Sequence, residues 1–251
     1  VAAQLVHLLY TLVDRVYIGH IPGIGTDALA GVGVTSSVII LISAFSAIVA
    51  GGGAPLAAIA LGQGHRERAG KILGNGFVLL VLFAVVTSTV SYLFMKPILT
   101  SIGASAHTLP YAVDYLSVYL LGTLFVEVAV GLNTFINCQG RPGVAMCSVI
   151  IGAVLNIALD PLFIFTFGMG VKGAALATIL SQACSAVWVL AFLISKRASL
   201  QLERRYLRLD RRIVGATLAL GLSPFIMAST ESLVGFVLNG SLERYGDIYV
   251  I

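Results

Sequence analysis

The sequence predicts an all-α integral membrane protein, on three observations. The 251-residue chain is 58% hydrophobic and only 10% charged, where a soluble domain carries about 25% charged residues. Its mean hydropathy is +1.00. Its apolar residues fall in runs close to or above the ~20 residues that span a bilayer as a helix. They do not alternate as the strands of an outer-membrane barrel do.

Seven stretches have the required character: Val1–Ile18, Ala28–Leu61, Ile72–Met95, Tyr111–Cys138, Val144–Phe167, Val171–Ile194 and Ile213–Leu238. Glycine, proline and charged residues fill the breaks, as turns demand. The second stretch would reach about 51 Å as one straight helix. Gly51 to Pro55, "GGGAP", predicts a bend there, because proline removes a helix hydrogen bond and glycine loosens the backbone. Close packing of small residues is the other use of such a segment. The expected division is a six-helix transmembrane lobe at 1–194, a cytoplasmic basic connector at 195–212, and a seventh helix with the beginning of an eighth at 213–251. With no initiator Met and an apolar run opening at the last residues, "DIYVI", the chain reads as a fragment cut at both ends.

Orientation follows from the lysines and arginines. One side carries Arg66, Arg68, Lys71, Arg141, Lys196, Arg197, Arg204, Arg205, Arg208, Arg211 and Arg212. The other carries Lys96, Lys172 and Arg244, and Arg15 lies within the first span. The richer side is expected in the cytoplasm, so the N-terminus is cytoplasmic. This asymmetry uses the whole basic excess, and no nucleic-acid partner is implied. Part of the connector "SKRASLQLERRYLRLDRR" is expected to lie as an amphipathic segment at the interface.

Other patterns carry no chemistry. Gly168 to Gly173 spells GxGxxG, but it lacks the preceding strand and the acid ~20 residues on that a dinucleotide site needs. It reads as a tight hairpin between two spans. The three cysteines, Cys138, Cys147 and Cys184, have no paired or metal-ligand spacing. Asn239-Gly-Ser241 matches a glycosylation sequon, a short and common pattern.

Four acids fall inside spans: Asp14, Glu127, Asp160 and Glu231. Each costs a few kcal/mol if it faces lipid, so each is a candidate for a polar interior. The plain structural alternative is an ion pair that fixes helix packing, with Arg15 the neighbour of Asp14. At 1.5 Å per residue, Asp14, Asp160, Thr178 and Glu231 all sit about 8–12 Å below the outer ends of their helices. Asn156 and Asp160 are four apart and stack on one helix face. Pro161 cannot donate to the carbonyl of Ile157, so that oxygen is released on the same turn. Carboxylate, amide oxygen and carbonyl oxygen are hard ligands that suit a small cation such as Na⁺. Alternatively the carboxylate takes a proton, which removes the penalty of burying its charge. Either chemistry makes this face a cation switch.

Five segments carry a resemblance to a known family. They are "LYTLVDRVYIGHIPGIGTDALAGVGV" at 9–34, "GQGHRERA" at 62–69, "INCQGRPGVAM" at 136–146, "GAVLNIALDPLFIFTFGMGVKGAALATILSQ" at 152–182 and "GLSPFIMASTESL" at 221–233. Over nearly its whole length the chain resembles the multidrug and toxic compound extrusion (MATE) transporters. The resemblance implies one lobe and a seventh span of a twelve-helix, two-lobe monomer in a bacterial plasma membrane. It implies antiport of Na⁺ or H⁺ against cationic amphipathic drugs by alternating access, with no cofactor and no enzymatic step. The amino-lobe cation site would fall on Asp14, Asn156, Asp160 and Thr178, and the second-lobe acid on Glu231. His7 departs from the amide or apolar residue expected there. Tyr10, Tyr17, Phe163, Glu127 and Asn133 are candidates for the drug path. A flippase for lipid-linked sugars or peptidoglycan precursors is a rival, but its cleft should hold several basic residues, and Arg15 is alone within the spans. A seven-helix receptor or retinal pump is a rival of another class, but no lysine lies mid-span for a Schiff base. No nucleophile–base constellation supports a membrane enzyme.

Overall fold

The computed structural model describes residues 2–242. The His7 side chain, Arg244 and the expected start of an eighth helix at 243–251 lie outside the described residues. Nine α-helices form along the described chain: α1 Ala2–Gly19, α2 Gly25–Ile48, α3 Ala54–Gly62, α4 Arg66–Leu93, α5 Met95–Ile102, α6 Leu109–Cys138, α7 Pro142–Pro161, α8 Val171–Ile194 and α9 Arg211–Leu242. No strand occurs among the described residues.

Six helical segments are long and apolar enough to cross a membrane: Gly25–Gly62, Arg66–Leu93, Leu109–Cys138, Pro142–Thr166, Val171–Ile194 and Arg211–Asn239. The remaining expected span, α1, is an 18-residue helix packed on α7 and α2. Gln4, His7, Asp14 and Arg15 make it less apolar than the six. Bulky apolar side chains such as Leu8, Leu121, Val187 and Met227 are exposed on the outside of the bundle, as lipid-facing residues are. The chain is a multipass membrane protein.

The long second stretch is one span of 38 residues with a π-helical turn, Val49–Gly53, between α2 and α3. Pro55 sits in the first turn of α3, directly after this π-helical turn. The local distortion expected from "GGGAP" is therefore present, and the glycines also serve packing. A Cβ on Gly51 would meet the Pro224 ring at 2.5 Å, and one on Gly53 would meet the Phe135 ring at 2.9 Å. A Cβ on Gly52 would overlap the Thr217 carbonyl, and one on Gly221 the Ile48 carbonyl. Helix α9 thus touches the α2–α3 span backbone to backbone. Farther along the same pair, the Ser232 hydroxyl donates to the Ser37 carbonyl at 2.7 Å.

Two elements differ from the sequence expectation. Helix α5 follows α4 at once and ends on Gly103, whose φ of 106° only glycine adopts easily. Its Met95, Leu99 and Ile102 are buried, so a segment that reads as a polar connection is a short cover helix. The connector from Ser195 to Asp210 contains one 3₁₀ turn, Arg204–Tyr206, and no α-helix. It is strapped against the bundle by side-chain contacts. Leu200 and Tyr206 are buried, and Tyr206 packs on Gly70 and Gly74 of α4. The Gln139 side chain accepts the Leu200 N–H at 3.0 Å. Buried Asn75 accepts the Asp210 N–H at 2.7 Å and donates to the Arg208 carbonyl at 3.2 Å. The hairpin after α7 passes through a second π-helical turn, Leu162–Thr166, then Gly168 and Gly170 at φ 63° and 56°, which agrees with the reading of GxGxxG as a turn.

The backbone contact with α9 has a direct consequence. Gly52→Ala should destabilise the protein by about 1–3 kcal/mol through overpacking. Gly215→Ala, where a Cβ meets nothing within 4 Å, should be neutral or slightly stabilising. Thermal melting in detergent checks both, and equal melting temperatures would contradict the packing account.

Candidate functional site

The site begins with α7. Asn156 and Asp160, one turn apart, are 2% and 0% exposed. The Asn156 Nδ2 donates to Asp160 Oδ1 at 3.2 Å and reaches Thr178 Oγ1 of α8 at 3.4 Å. The Thr178 hydroxyl donates to the Ala174 carbonyl at 3.0 Å. The turn after α7 brings α8 back beside it, and Gly152 lets the two helices close: a Cβ there would lie 2.6 Å from Ser185 Oγ. Ser185 in turn donates to the Ser148 carbonyl at 2.8 Å.

Asp14 comes from α1 and is 8% exposed. It lies close enough to Asp160 for the two charges to interact. Arg15 does not hold it in an ion pair; its guanidinium donates to Ser36 Oγ of α2 at 3.4 Å. The ion pairs among the described residues are Lys71–Glu67, Lys172–Asp114 and Arg205–Glu203. None involves Asp14, Glu127, Asp160 or Glu231. Asp14 Oδ1, Asn156 Oδ1 and Asp160 Oδ2 are buried without a hydrogen-bond partner. Three oxygen acceptors therefore lack a donor around one cluster, where a buried acceptor normally has one.

A fifth group joins them that the sequence reading missed. Tyr115 of α6 is buried, with Thr178, Asp14 and Asp160 near it. It stacks on Tyr119, ring centroids 6.2 Å apart. Tyr115 lies six residues into α6 from Leu109, about 9 Å deep. The depth criterion that selected Asp14, Asp160 and Thr178 would have found it had uncharged polar residues of every span been tested. An apolar shell including Ile18, Val32, Ile164, Val171 and Ala175 surrounds this end of the bundle.

The other candidates are scattered. Glu231 is exposed on α9. Glu127 is 1% exposed with neither carboxylate oxygen partnered. Asn133 donates to the Ala145 carbonyl at 3.2 Å while its own Oδ1 has no partner. Tyr10 is within hydrogen-bonding reach of Gln182. Tyr17 meets Phe165 edge-on at 6.3 Å, and Phe163 lies against Phe167 at 5.7 Å.

Fold and interior together define a polytopic α-helical membrane protein with a cluster of buried polar groups between α1, α6, α7 and α8. The MatE family profile matches residues 1–162, and the chain belongs to this family of membrane transporters. It is 23% identical to the multidrug export protein MepA of Staphylococcus haemolyticus, over 97% of this chain and 54% of MepA. Among solved structures, it superposes on the MATE multidrug transporter DinF-BH with a TM-score of 0.91 and 32% identity, covering 99% of this chain and 55% of that one. An inward-facing multidrug resistance MATE transporter gives a TM-score of 0.89 and 27% identity, covering 96% and 55%. The chain thus spans about half the length of the relatives it matches.

The Thr178 hydroxyl is the junction of the cluster, and this is testable. Thr178→Val leaves Asn156 Nδ2 one partner short and should cost about 1–3 kcal/mol. Thr178→Ser should stay close to the parent. Melting temperatures of the purified variants decide, and a Val variant as stable as the Ser variant would contradict the network.

Proposed function

We propose that the chain is the amino-terminal lobe, with the first helix of a second lobe, of a cation-coupled antiporter that exports cationic amphipathic drugs. In this reading residues 1–194 are the lobe, 195–212 the connector, and 213–251 the start of the second lobe. One observation carries it: Asp14, Asn156 and Asp160 bury unpartnered oxygens around Thr178 within a lobe of a transporter family. Relatives named for multidrug export support the substrate class.

The chemistry follows from the donor set. Two carboxylates, an amide oxygen and a hydroxyl are hard donors that suit Na⁺ as coupling ion, and the same carboxylates serve if the ion is H⁺. With the ion bound, the Asp14–Asp160 pair is neutralised and α1 is held against α7. With the ion gone, two like charges share a site sheltered from water, which favours separation of α1 from α7. Drug in the central cleft favours the state the ion does not. Coupling requires only this difference in affinity. Exposed apolar residues of α9 such as Ile226, Met227 and Val237 suit contact with lipid or with a second lobe. Among the described residues Arg15 is the only lysine or arginine deep within the spans and is tied to Ser36, which argues against a flippase for polyanionic substrates.

The test is ethidium efflux by the full-length protein in a pump-deficient host. Asp160→Asn keeps the shape of the side chain and should reduce efflux to background. Efflux at the parental rate would overturn the proposal. In proteoliposomes, efflux driven by a Na⁺ gradient at constant pH assigns Na⁺, and efflux driven by a pH gradient without Na⁺ assigns H⁺.

A further inference from the structure

At the basic end of the bundle, a cavity of about 830 Å³ opens between the α3–α4 turn and the start of α9. Its rim carries Arg66, Arg68, Lys71 and Arg212, with Glu67 and Asp210 as the acids. Both acids are already engaged. Glu67 pairs with Lys71 at 3.0 Å. Asp210 Oδ1 accepts the Arg212 N–H at 2.9 Å, at the start of α9. The bond to Asp210 comes from the Arg212 backbone, and Arg66, Arg68 and Arg212 make no ion pair among the described residues, so the rim holds four cations against two acids. Helix α4 starts on the same rim, and His65 before it makes no side-chain cap.

The floor is of the opposite character. Leu56, Ile72, Ile213 and Ala216 line it, from helices that continue into the apolar bundle. The geometry is built rather than incidental. Asn75 of α4 fastens the connector at Arg208 and Asp210, which sets the start of α9 across from the start of α4. The neighbouring cavity of about 450 Å³ shares Arg66 and Glu67 and is less basic, with Lys196 and Arg205 as its other cations and Arg205 paired with Glu203 at 2.7 Å.

We propose that the larger cavity binds the headgroup of an anionic phospholipid. The guanidinium groups take the phosphate, a match of planar forked donors to phosphate oxygens. The apolar floor takes the first carbons of an acyl chain. Orientation of the chain in the membrane accounts for basic residues on this side, but it does not require three unpaired arginines over an apolar cavity. Basic pockets between spans on the cytoplasmic side are a recognised setting for anionic lipid headgroups. A free phosphate ion shares the headgroup chemistry but makes no use of the floor.

Native mass spectrometry of the purified protein in detergent tests the site. The probes are palmitoyl-oleoyl phosphatidylglycerol, the matched phosphatidylcholine, and inorganic phosphate. A retained phosphatidylglycerol adduct is expected, with phosphatidylcholine stripped away and phosphate unable to displace the lipid. The double variant Arg66→Gln/Arg212→Gln should bind phosphatidylglycerol about thirtyfold more weakly, while Arg205→Gln should bind as the parent does. Ala216→Trp fills the floor without altering charge and should also lose the adduct, so the proposal stays testable if the arginine variant fails to fold. Equal retention of the two lipids, undiminished binding by the double or the Trp variant, or displacement by phosphate at matched concentration would each overturn it.

Discussion

A carboxylate inside hydrocarbon must be neutralised by something the protein brings to it, because no water is there to do so. Much of this structure can be understood from that requirement. Asp160 is fully buried on α7. One of its oxygens takes a hydrogen bond from Asn156, while the other has none. Asp14 approaches from α1 with an oxygen that likewise lacks a partner. Two half-satisfied carboxylates near one another are costly unless a cation or a proton neutralises them. That cost is what a coupled transporter can use, since the occupied and empty states then differ in free energy by an amount the ion controls.

The bundle is arranged to hold these groups in place. The hydrophobic effect gives little association between helices in lipid, so close approach has to come from small residues and hydrogen bonds. Gly152 admits α8 to α7, which puts Thr178 beside Asn156. Gly51, Gly52 and Gly221 admit α9 to the α2–α3 span, and Ser232 bonds the same pair at a second level. The two regions are packed in contrasting ways. The contact with α9 is close, backbone to backbone, whereas the α1–α7–α8 cluster is buried and under-satisfied.

The apolar runs made most of the spans readable, because length and composition alone specify a bilayer-crossing helix. The stacking of Asn156 on Asp160 was readable for the same kind of reason, a four-residue spacing. What could not be read depended on tertiary contacts. Tyr115 is an ordinary interfacial tyrosine until α6 is placed beside α8. The connector looks amphipathic by composition, yet Tyr206 finds Gly70 and Gly74, and Asn75 ties down the backbone at Arg208 and Asp210. Helix α5 looks like a loop because its eight residues are too few to show a period. Glu231 shares the depth of the cluster by residue count but lies exposed on α9, since depth along a helix says nothing about the direction a side chain faces.

The most direct test of the central claim is the protonation or ligation of the Asp14–Asp160 pair itself. Infrared difference spectra of the purified protein, recorded on changing Na⁺ at fixed pH and pH at fixed Na⁺, report buried carboxyl groups through their C=O stretch. The account predicts a difference band in at least one of the two experiments that disappears in Asp160→Asn. A carboxyl region that responds to neither ion, or a band that persists unchanged in that variant, would contradict it.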